Sequence, residues 1–528
     1  MQKTSRVANP RLSLLTISGV AFACALGFVP RAAIAQAGGA AHVGGMVDPQ
    51  QSLNWQPGAI GHDQRMRKYR DVDNGTQPTP PIIPRFELDA DQSGAVATFQ
   101  PGGATITSNN AFFQDLGTNN RTCFTCHQPT TGWGVSAASV QARFAHSSGS
   151  DPIFRLVDGA TCPTDNVSTY AAKLRAYKLL LEKGLIRIGL ALPTPTQTQP
   201  LQFEVTNVVD PYNCTTNPAT GLTSPMAGIM SMYRRPLPST NLGFLSTVMW
   251  DGREPSLASQ ATDATLGHAQ ANAAPTAAQV AEIVAFESGI FTAQEYDEDA
   301  KLLHNEGAMG GPVALSLQLS QFYIGVNDPF GQNPNKSLTF SSSIFDLYKP
   351  WLGLPGRGGV VQGRESVARG EEVFNNTVIN ITGVAGINDA LNQPSVSGFC
   401  GTCHDTPNVG DHSVKAPLNI GIADAGANAP PALDISGLPV FTLKCTAGPL
   451  AGQTFVVTDP GRAMISGNCA DIGKLKGPIL RGLAARAPYF HNGSAATLKD
   501  VVNFYDQRFK IGFTDRQKQD LVNFLNTL

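Results

Sequence analysis

Two five-residue motifs of one design stand far apart in this chain: Cys123-Phe124-Thr125-Cys126-His127 and Cys400-Gly401-Thr402-Cys403-His404. Two thiols three positions apart can form thioether bonds to the two vinyl groups of a haem, and the histidine that follows can bind the iron from one side. A single such motif could also be a zinc knuckle. Two complete copies, behind what reads as an export signal, point instead to two covalently bound haem c groups. Cys123, Cys126, Cys400 and Cys403 are then the attachment residues, and His127 and His404 the iron ligands.

The remaining cysteines carry a second message. The chain has nine. Cys24 lies in the apolar stretch near the start, and four belong to the motifs. Cys162, Cys214, Cys445 and Cys469 are left, an even number. In an oxidising compartment such a set forms disulfides. Locality favours Cys162–Cys214 and Cys445–Cys469 among the three pairings open to four cysteines, with four buried free thiols as the alternative. The compartment follows from the N-terminus. Lys3, Arg6 and Arg11 form a positive region, Leu12 to Val29 is apolar, and Ala33-Ile34-Ala35 reads as a small-residue cleavage site. A retained membrane anchor is the competing reading. No later segment is long and apolar enough to span a bilayer, so the expectation is an exported, periplasmic protein with no membrane span after signal removal.

The bulk composition agrees. Charged residues make up 15% of the 528, against about 25% in an ordinary soluble protein. There are 53 glycines and 37 prolines, which favours turns over long regular elements. A bound porphyrin supplies apolar core that such a chain would otherwise lack. The net charge is −2 with no strong basic run, so no nucleic-acid partner is indicated.

The elements that must position these residues read as follows. Residues 36–100 show little periodicity and are expected to be an irregular N-terminal extension. Phe112, Phe113 and Leu116 predict a short helix packing on the porphyrin. Apolar spacing from Tyr170 to Gly184 predicts a helix ending at the glycine, and 276–306 is expected to be helical too. Around 190–225 the Pro and Thr content predicts a loop-rich insertion, and 310–345 an excursion over the surface. An amphipathic helix over Val367–Phe374 leads toward the second motif. The 405–470 stretch is turn-rich with short strand-like runs such as Val440-Phe441-Thr442-Leu443. Two helices close the chain, one capped by Thr497 with Asp500, the other by Thr514 with Gln517. The fold class expected is mainly α: two cytochrome c-like haem domains with loop-rich insertions and few short strands. The divisions are 1–35 signal peptide, 36–100 extension, 101–362 first haem domain with insertions, and 363–528 second haem domain.

Three further motifs carry a resemblance. They are Trp250-Asp251-Gly252-Arg253 with Gln260 ten residues after the Trp; Ala487-Pro488-Tyr489-Phe490-His491-Asn492-Gly493 followed by Thr497-Leu498; and Ala368-Arg369-Gly370-Glu371. With the two haem motifs, they make the chain resemble the bacterial dihaem cytochrome c peroxidases and their relative MauG, which matures methylamine dehydrogenase. The resemblance covers most of 101–145, 235–270 and 363–528. The interval between His127 and His404 exceeds the family's compact spacing.

The resemblance implies roles. The His127 haem is the peroxidatic one and the His404 haem the electron-transfer one, with Trp250 between them as a relay; a large core residue is the plain alternative for that Trp. The peroxidases place a methionine fourteen residues after the histidine of the Pro-Tyr-Phe-His motif. Here that position is Tyr505, as in MauG, and no Met follows Met464. Leu498, Val501, Val502 and Tyr505 share one helical face. Tyr505 is the expected sixth iron ligand of the second haem, with His412 or a core tyrosine as alternatives. A phenolate donor favours ferric and higher oxidation states. On the first haem Gln260 matches the family's distal glutamine. The family's distal glutamate, ten residues further on, is here Gln270. An amide cannot take a proton from H2O2, so His268, two residues earlier, is the substitute base; a packing histidine is the other reading. His146 is a candidate cap for the first iron. Arg253, Arg481 and Arg486 are candidate partners of the haem propionates. The resemblance also implies one Ca2+, held largely by backbone carbonyls near the Pro-Tyr-Phe-His motif. Pro488 is in place, but no asparagine near Arg235 matches the side-chain ligand.

The leading expectation is a peroxidase-like dihaem oxidoreductase taking H2O2, with electrons from a small cytochrome c, a cupredoxin or another protein. The competing classes are a MauG-like oxidase of protein side chains, a non-catalytic electron carrier, and an oxygenase resembling the distant dihaem rubber-cleaving enzymes.

Overall fold

The computed structural model describes residues 79–196, 200–214, 216–217, 222–223 and 229–528. The expected signal, with Cys24 and the cleavage site, and residues 36–78 of the expected extension lie outside the described residues. The described residues all fall within one compact unit.

The first regular elements are strands. Phe86–Ala90 (β1) and Gly94–Phe99 (β2) pair antiparallel, so the expected irregular extension gives way to sheet at its C-terminal end. Phe86, Leu88 and Ala90 alternate with Glu87 and Asp89, the period of a strand with two unlike faces. The first Cys-x-x-Cys-His motif follows on a short 3-10 turn, and Ala137–Ser147 forms helix α1, capped by Ser136. Tyr170–Ala176 (α2) and Lys178–Lys183 (α3) form the predicted helical stretch, which ends at Gly184 with φ 62°. The insertion holds more strand than expected: Ile186–Ala191 (β3) pairs with Ile229–Arg234 (β5), and Phe203–Val209 (β4) lies between them in sequence.

Leu257–Gly267 (α4) and Ala277–Gly289 (α5) follow, the second closed by a Thr276/Gln279 capping box. The helix expected over 276–306 stops there. Phe291–Asp297 (β6) is a strand between β2 and the two-residue strand Lys301–Leu302. It is buried on both faces over its first five residues, so it shows no alternation to betray it. Gly311–Gln318 (α6) packs on this sheet and opens the expected excursion.

Gly359–Asn376 (α7) bears the Ala-Arg-Gly-Glu motif. Ile379–Thr382 (β7) and Ser395–Gly398 (β8) then lead to the second haem motif. Val440–Cys445 (β9) is the predicted strand. It pairs with Thr454–Val457 (β10) on one side and with β4 on the other. That second pairing joins residues on either side of the expected 362/363 division within one sheet.

Leu498–Phe509 (α8) and Asp515–Asn526 (α9) close the chain with both predicted capping boxes formed. Helices α7 and α9 cross tightly. A Cβ on Gly370 would stand 2.0 Å from the Asp520 carbonyl oxygen, so the motif's glycine is what lets the backbones meet. Arg369 clamps the crossing with two bonds of 2.9 Å to the Asp520 carboxylate. Phe374, Phe524, Trp351 and Tyr348 fill the core beside it.

Both expected disulfides are present, Cys162–Cys214 and Cys445–Cys469, with Cα separations of 5.4 and 6.0 Å. A cytochrome c-like domain is present, but a mainly α class is not borne out: helix accounts for 31% of the described residues and strand for 17%. The insertions account for the departure, because they hold strand pairs where the sequence showed only Pro- and Thr-rich segments.

Candidate haem sites

The two Cys-x-x-Cys-His motifs fold alike. In each, the third residue is a threonine whose hydroxyl accepts the backbone N–H of the residue before the first cysteine. These bonds are Thr125 from Thr122, 3.0 Å, and Thr402 from Phe399, 2.9 Å. The histidine N–H then donates to the first cysteine's carbonyl, 3.0 Å in both. Where the first motif packs Phe124 among Phe113 and Trp133, the second has Gly401; a Cβ there would lie 2.5 Å from Ile344.

Each histidine is oriented by a carbonyl six residues on. The Nδ1–H of His127 donates to Trp133 at 2.8 Å, and that of His404 to Gly410 at 2.7 Å. Burial lowers the pKa of both, His127 to about 4, against these bonds that favour the proton. Both imidazoles are therefore neutral, and Nε2 keeps its lone pair for a ligand. All four motif cysteines are free thiols. Burial holds their protons on, Cys400 and Cys403 up to about 12.

Each motif opens onto its own cavity. The first, partly open to solvent, is walled by Cys123, Cys126 and His127 with Ile188, Leu237 and Leu245. The second is walled by Cys400, Cys403 and His404 with Ile381, Leu418 and Phe509. A pair of unpaired thiols and a neutral imidazole on the wall of a largely apolar cavity fits covalently bound haem c at both places.

Trp250 and Lys476 stand in the walls of both cavities. The indole Nε1–H donates to the Arg235 carbonyl at 2.8 Å, and the Trp250 carbonyl accepts the Lys476 N–H at 2.8 Å. The ring is thus pinned by its edge and its backbone between the two sites, 6.2 Å from the His491 ring.

Helix α4 and its C-cap contribute two of the polar groups in the first cavity's wall. Gln260 faces the cavity, and His268 follows the last turn. His268 Nδ1 lies 2.5 Å from Asp158 Oδ2, and Asp158 Oδ1 accepts Arg121 at 2.6 Å. Burial pushes the Asp158 carboxyl up, but Arg121 and His268 outweigh it and hold the group ionised. The result is a histidine oriented by a buried carboxylate at a cavity wall. Gln270 is elsewhere: it is exposed at φ 55° and its side chain accepts from Asn119. His146 is exposed in the last turn of α1, outside the cavity wall. Of the three arginines expected near propionates, only Arg253 lines a cavity. Arg481 and Arg486 are buried and donate to backbone carbonyls, Arg481 to Gly311 and Arg486 to Gly482.

Tyr505 faces the second cavity from α8, its ring 6.5 Å from the His404 ring. Burial pushes its phenol well up, with the nearby cysteines adding. Only a strong electrophile in the cavity would make it a phenolate. His412 does not line this cavity; its Nδ1 lies 3.3 Å from Asp405.

The calcium expectation does not fit at Pro488. That carbonyl, and the Val135 carbonyl, accept the guanidinium of Arg235. Among the described residues, no cluster of three or more His, Cys, Asp or Glu side chains could hold a metal ion.

Sequence reasoning missed Asp158, Arg121, Lys476 and Glu287. Asp158 and Lys476 come from segments remote from the haem motifs, while Arg121 stands two residues before Cys123 but far in sequence from the Asp158 it pairs with. Glu287 left a signal: it shares the buried face of α5 with Ile283 and Phe286. It walls the first cavity, is 4% exposed, and burial raises its pKa to about 7, against a bond with Ser239.

Residues 475–511 match the family model described as RoxA-like, cytochrome c-like. The cytochrome-c peroxidase IdrP2 of Denitromonas iodatirespirans is 34% identical over 140 residues, 25% of this chain and 36% of the relative. The cytochrome c551 peroxidase of Nitrosomonas europaea is 29% identical over 151 residues, 27% of this chain and 36% of the relative. The chain thus spans about a third of the length of these curated relatives. A solved structure, a MauG-like protein associated with microbial copper homeostasis, aligns with 60% of this chain and 76% of its own, at 18% identity and a TM-score of 0.29.

Proposed function

We propose that this chain, a member of the dihaem cytochrome c peroxidase and MauG superfamily on this reading and similar over part of its length to cytochrome-c peroxidases, is an exported dihaem oxidoreductase that reacts with H2O2 at the His127 site and shares the oxidising equivalents with the His404 site through Trp250. The observation that carries this reading is the single tryptophan in the walls of both Cys-x-x-Cys-His cavities. Haem c, when bound, supplies an iron able to accept oxidising equivalents from peroxide and to pass electrons.

The chain's own residues divide the remaining work. Cys123, Cys126 and His127 hold one haem, and Cys400, Cys403 and His404 the other. Asp158 fixes the proton of His268 on Nδ1, so Nε2 is free to take a proton from H2O2 and return it to the departing oxygen. The Gln260 amide orients the peroxide in the same cavity. Trp250 closes the gap between sites with an aromatic ring. Tyr505, across the same cavity lining as His404, would supply a phenolate ligand to the second haem, a donor that would favour higher oxidation states. The two disulfides suit an oxidising compartment, the periplasm. Among the described residues, no helix is long and apolar enough to cross a membrane. The electron donor is a small cytochrome c or a cupredoxin.

Tyr505 also favours a second reading, oxidation of side chains on a partner protein in the manner of MauG. The two separate in a turnover assay. A peroxidase oxidises reduced small cytochrome c with H2O2 catalytically, and His268→Ala slows it about 100-fold or more. Equal rates for wild type and His268→Ala would overturn the role given to His268. No turnover with any small donor would move the protein to the side-chain oxidase or carrier classes.

A further inference from the structure

Adjacent arginines at the end of β5 meet opposite fates. Arg234 is fully paired: it bonds Asp251 at 2.5 Å and Asp459 at 2.6 and 2.9 Å. Arg235 is also buried, 6% exposed against 1% for Arg234, yet its guanidinium bonds no carboxylate. It donates to two peptide carbonyls, Pro488 and Val135. Burial drives its pKa down to about 9, and the neighbouring Arg486 pushes the same way. A charge is tolerated in such a place only when it organises groups that have no other partner.

Its backbone is engaged as well. The Arg235 N–H donates to His491 at 2.6 Å, and its carbonyl accepts the Trp250 indole at 2.8 Å. Three segments meet at this one residue. Val135 lies two residues beyond Trp133, whose carbonyl orients His127. Pro488 and His491 belong to the Pro-Tyr-Phe-His segment. Trp250 is the shared wall of the two cavities. Peptide carbonyls converging on one buried positive charge would equally suit a hard metal cation, which takes oxygen ligands.

We propose that the Arg235 guanidinium is a built-in cation tie. It takes the place of a bound metal ion at this junction, so the protein needs no calcium there, and it is a positioning residue that holds Trp250 against the Pro-Tyr-Phe-His segment. The tie does not rest on peroxidase activity; only the consequence for Trp250 does.

The test uses the full-length holoprotein and reads metal content, melting temperature and near-ultraviolet circular dichroism rather than turnover. Wild type exhaustively dialysed against EGTA is expected to carry no stoichiometric calcium and to keep its melting temperature and haem spectrum. Arg235→Ala should melt several degrees lower with a changed tryptophan band. Low-millimolar guanidinium, far below denaturing concentrations, should restore both in the variant and do nothing to wild type. Calcium restoring the variant as well would also support a cation-shaped site. One tightly held calcium per wild-type chain, or a loss of stability in EGTA, would overturn the proposal. So would an Arg235→Ala protein that melts and absorbs like wild type. If Arg235→Ala does not fold, Arg235→Lys replaces it, and the EGTA result on wild type decides by itself.

Discussion

Replacing Trp250 with Phe separates a relay from a filler. The indole is 8% exposed, and its Nε1–H is the donor to the Arg235 carbonyl at 2.8 Å. Phe removes that donor and leaves a buried carbonyl short of a partner, at about 1–3 kcal/mol. The smaller ring also leaves a void, smaller than the one for which full truncation of Trp to Ala costs about 3–5 kcal/mol. Together these predict a loss of about 2–4 kcal/mol, a visible fall in melting temperature with the fold retained. Structure alone accounts for that much. The functional prediction is additional: one equivalent of H2O2 should change the spectrum of the His127 haem at near the wild-type rate, while the change at the His404 haem becomes much slower or disappears. Stopped-flow absorbance on the holoprotein resolves the two. If the stability falls as calculated and both haems still respond at wild-type speed, Trp250 is a packing residue and the shared-wall argument fails.

Asp158→Asn should slow the reaction with peroxide about 100-fold and destabilise the protein by about 3–5 kcal/mol, because Arg121 loses its buried carboxylate; stopped-flow rates and thermal melts check the two parts, and an unchanged rate would contradict the role of the pair. Tyr505→Phe should alter the low-spin electron paramagnetic resonance signal of one haem and leave the other untouched; an unchanged spectrum removes Tyr505 as a ligand. Glu287 gives a pH prediction. Its pKa rises from 4.5 to about 7 on folding, so between those values the native state holds a proton that the unfolded chain has lost. Its contribution to stability therefore falls as pH rises through that window, by up to about 3 kcal/mol. Glu287→Gln should flatten that part of the profile and gain stability relative to wild type at pH 8, as read by denaturant unfolding.

What was legible in the sequence was local. The two haem motifs, the capping boxes of α8 and α9 and the pairing of nearby cysteines all depend on residues close in the chain, and the structure holds each helix cap and both disulfides as expected. Strand β1 was present as an alternation in Phe86–Ala90 but was masked by the polar composition around it. Strand β6 carried no alternation, because an inner strand buries both faces. The site was half legible for the same reason. Gln260 and His268 sit one helix apart from Trp250 in sequence and line its cavity, whereas Gln270, placed by counting alone, turns outward at the end of that segment. Asp158 stands 110 residues from His268, and nothing in either segment announces their meeting. The fate of Arg235 depended on what surrounded it, which an adjacent arginine of identical type could not reveal.

The most direct test of two haem sites joined through one tryptophan is electron paramagnetic resonance of the purified diferric holoprotein, before and after one equivalent of H2O2, repeated on the half-reduced form. One high-spin haem beside one low-spin haem, with both signals lost together on adding peroxide to at least one of these forms, is the predicted result. Two low-spin haems that ignore peroxide in both redox forms would contradict it and place the protein among electron carriers.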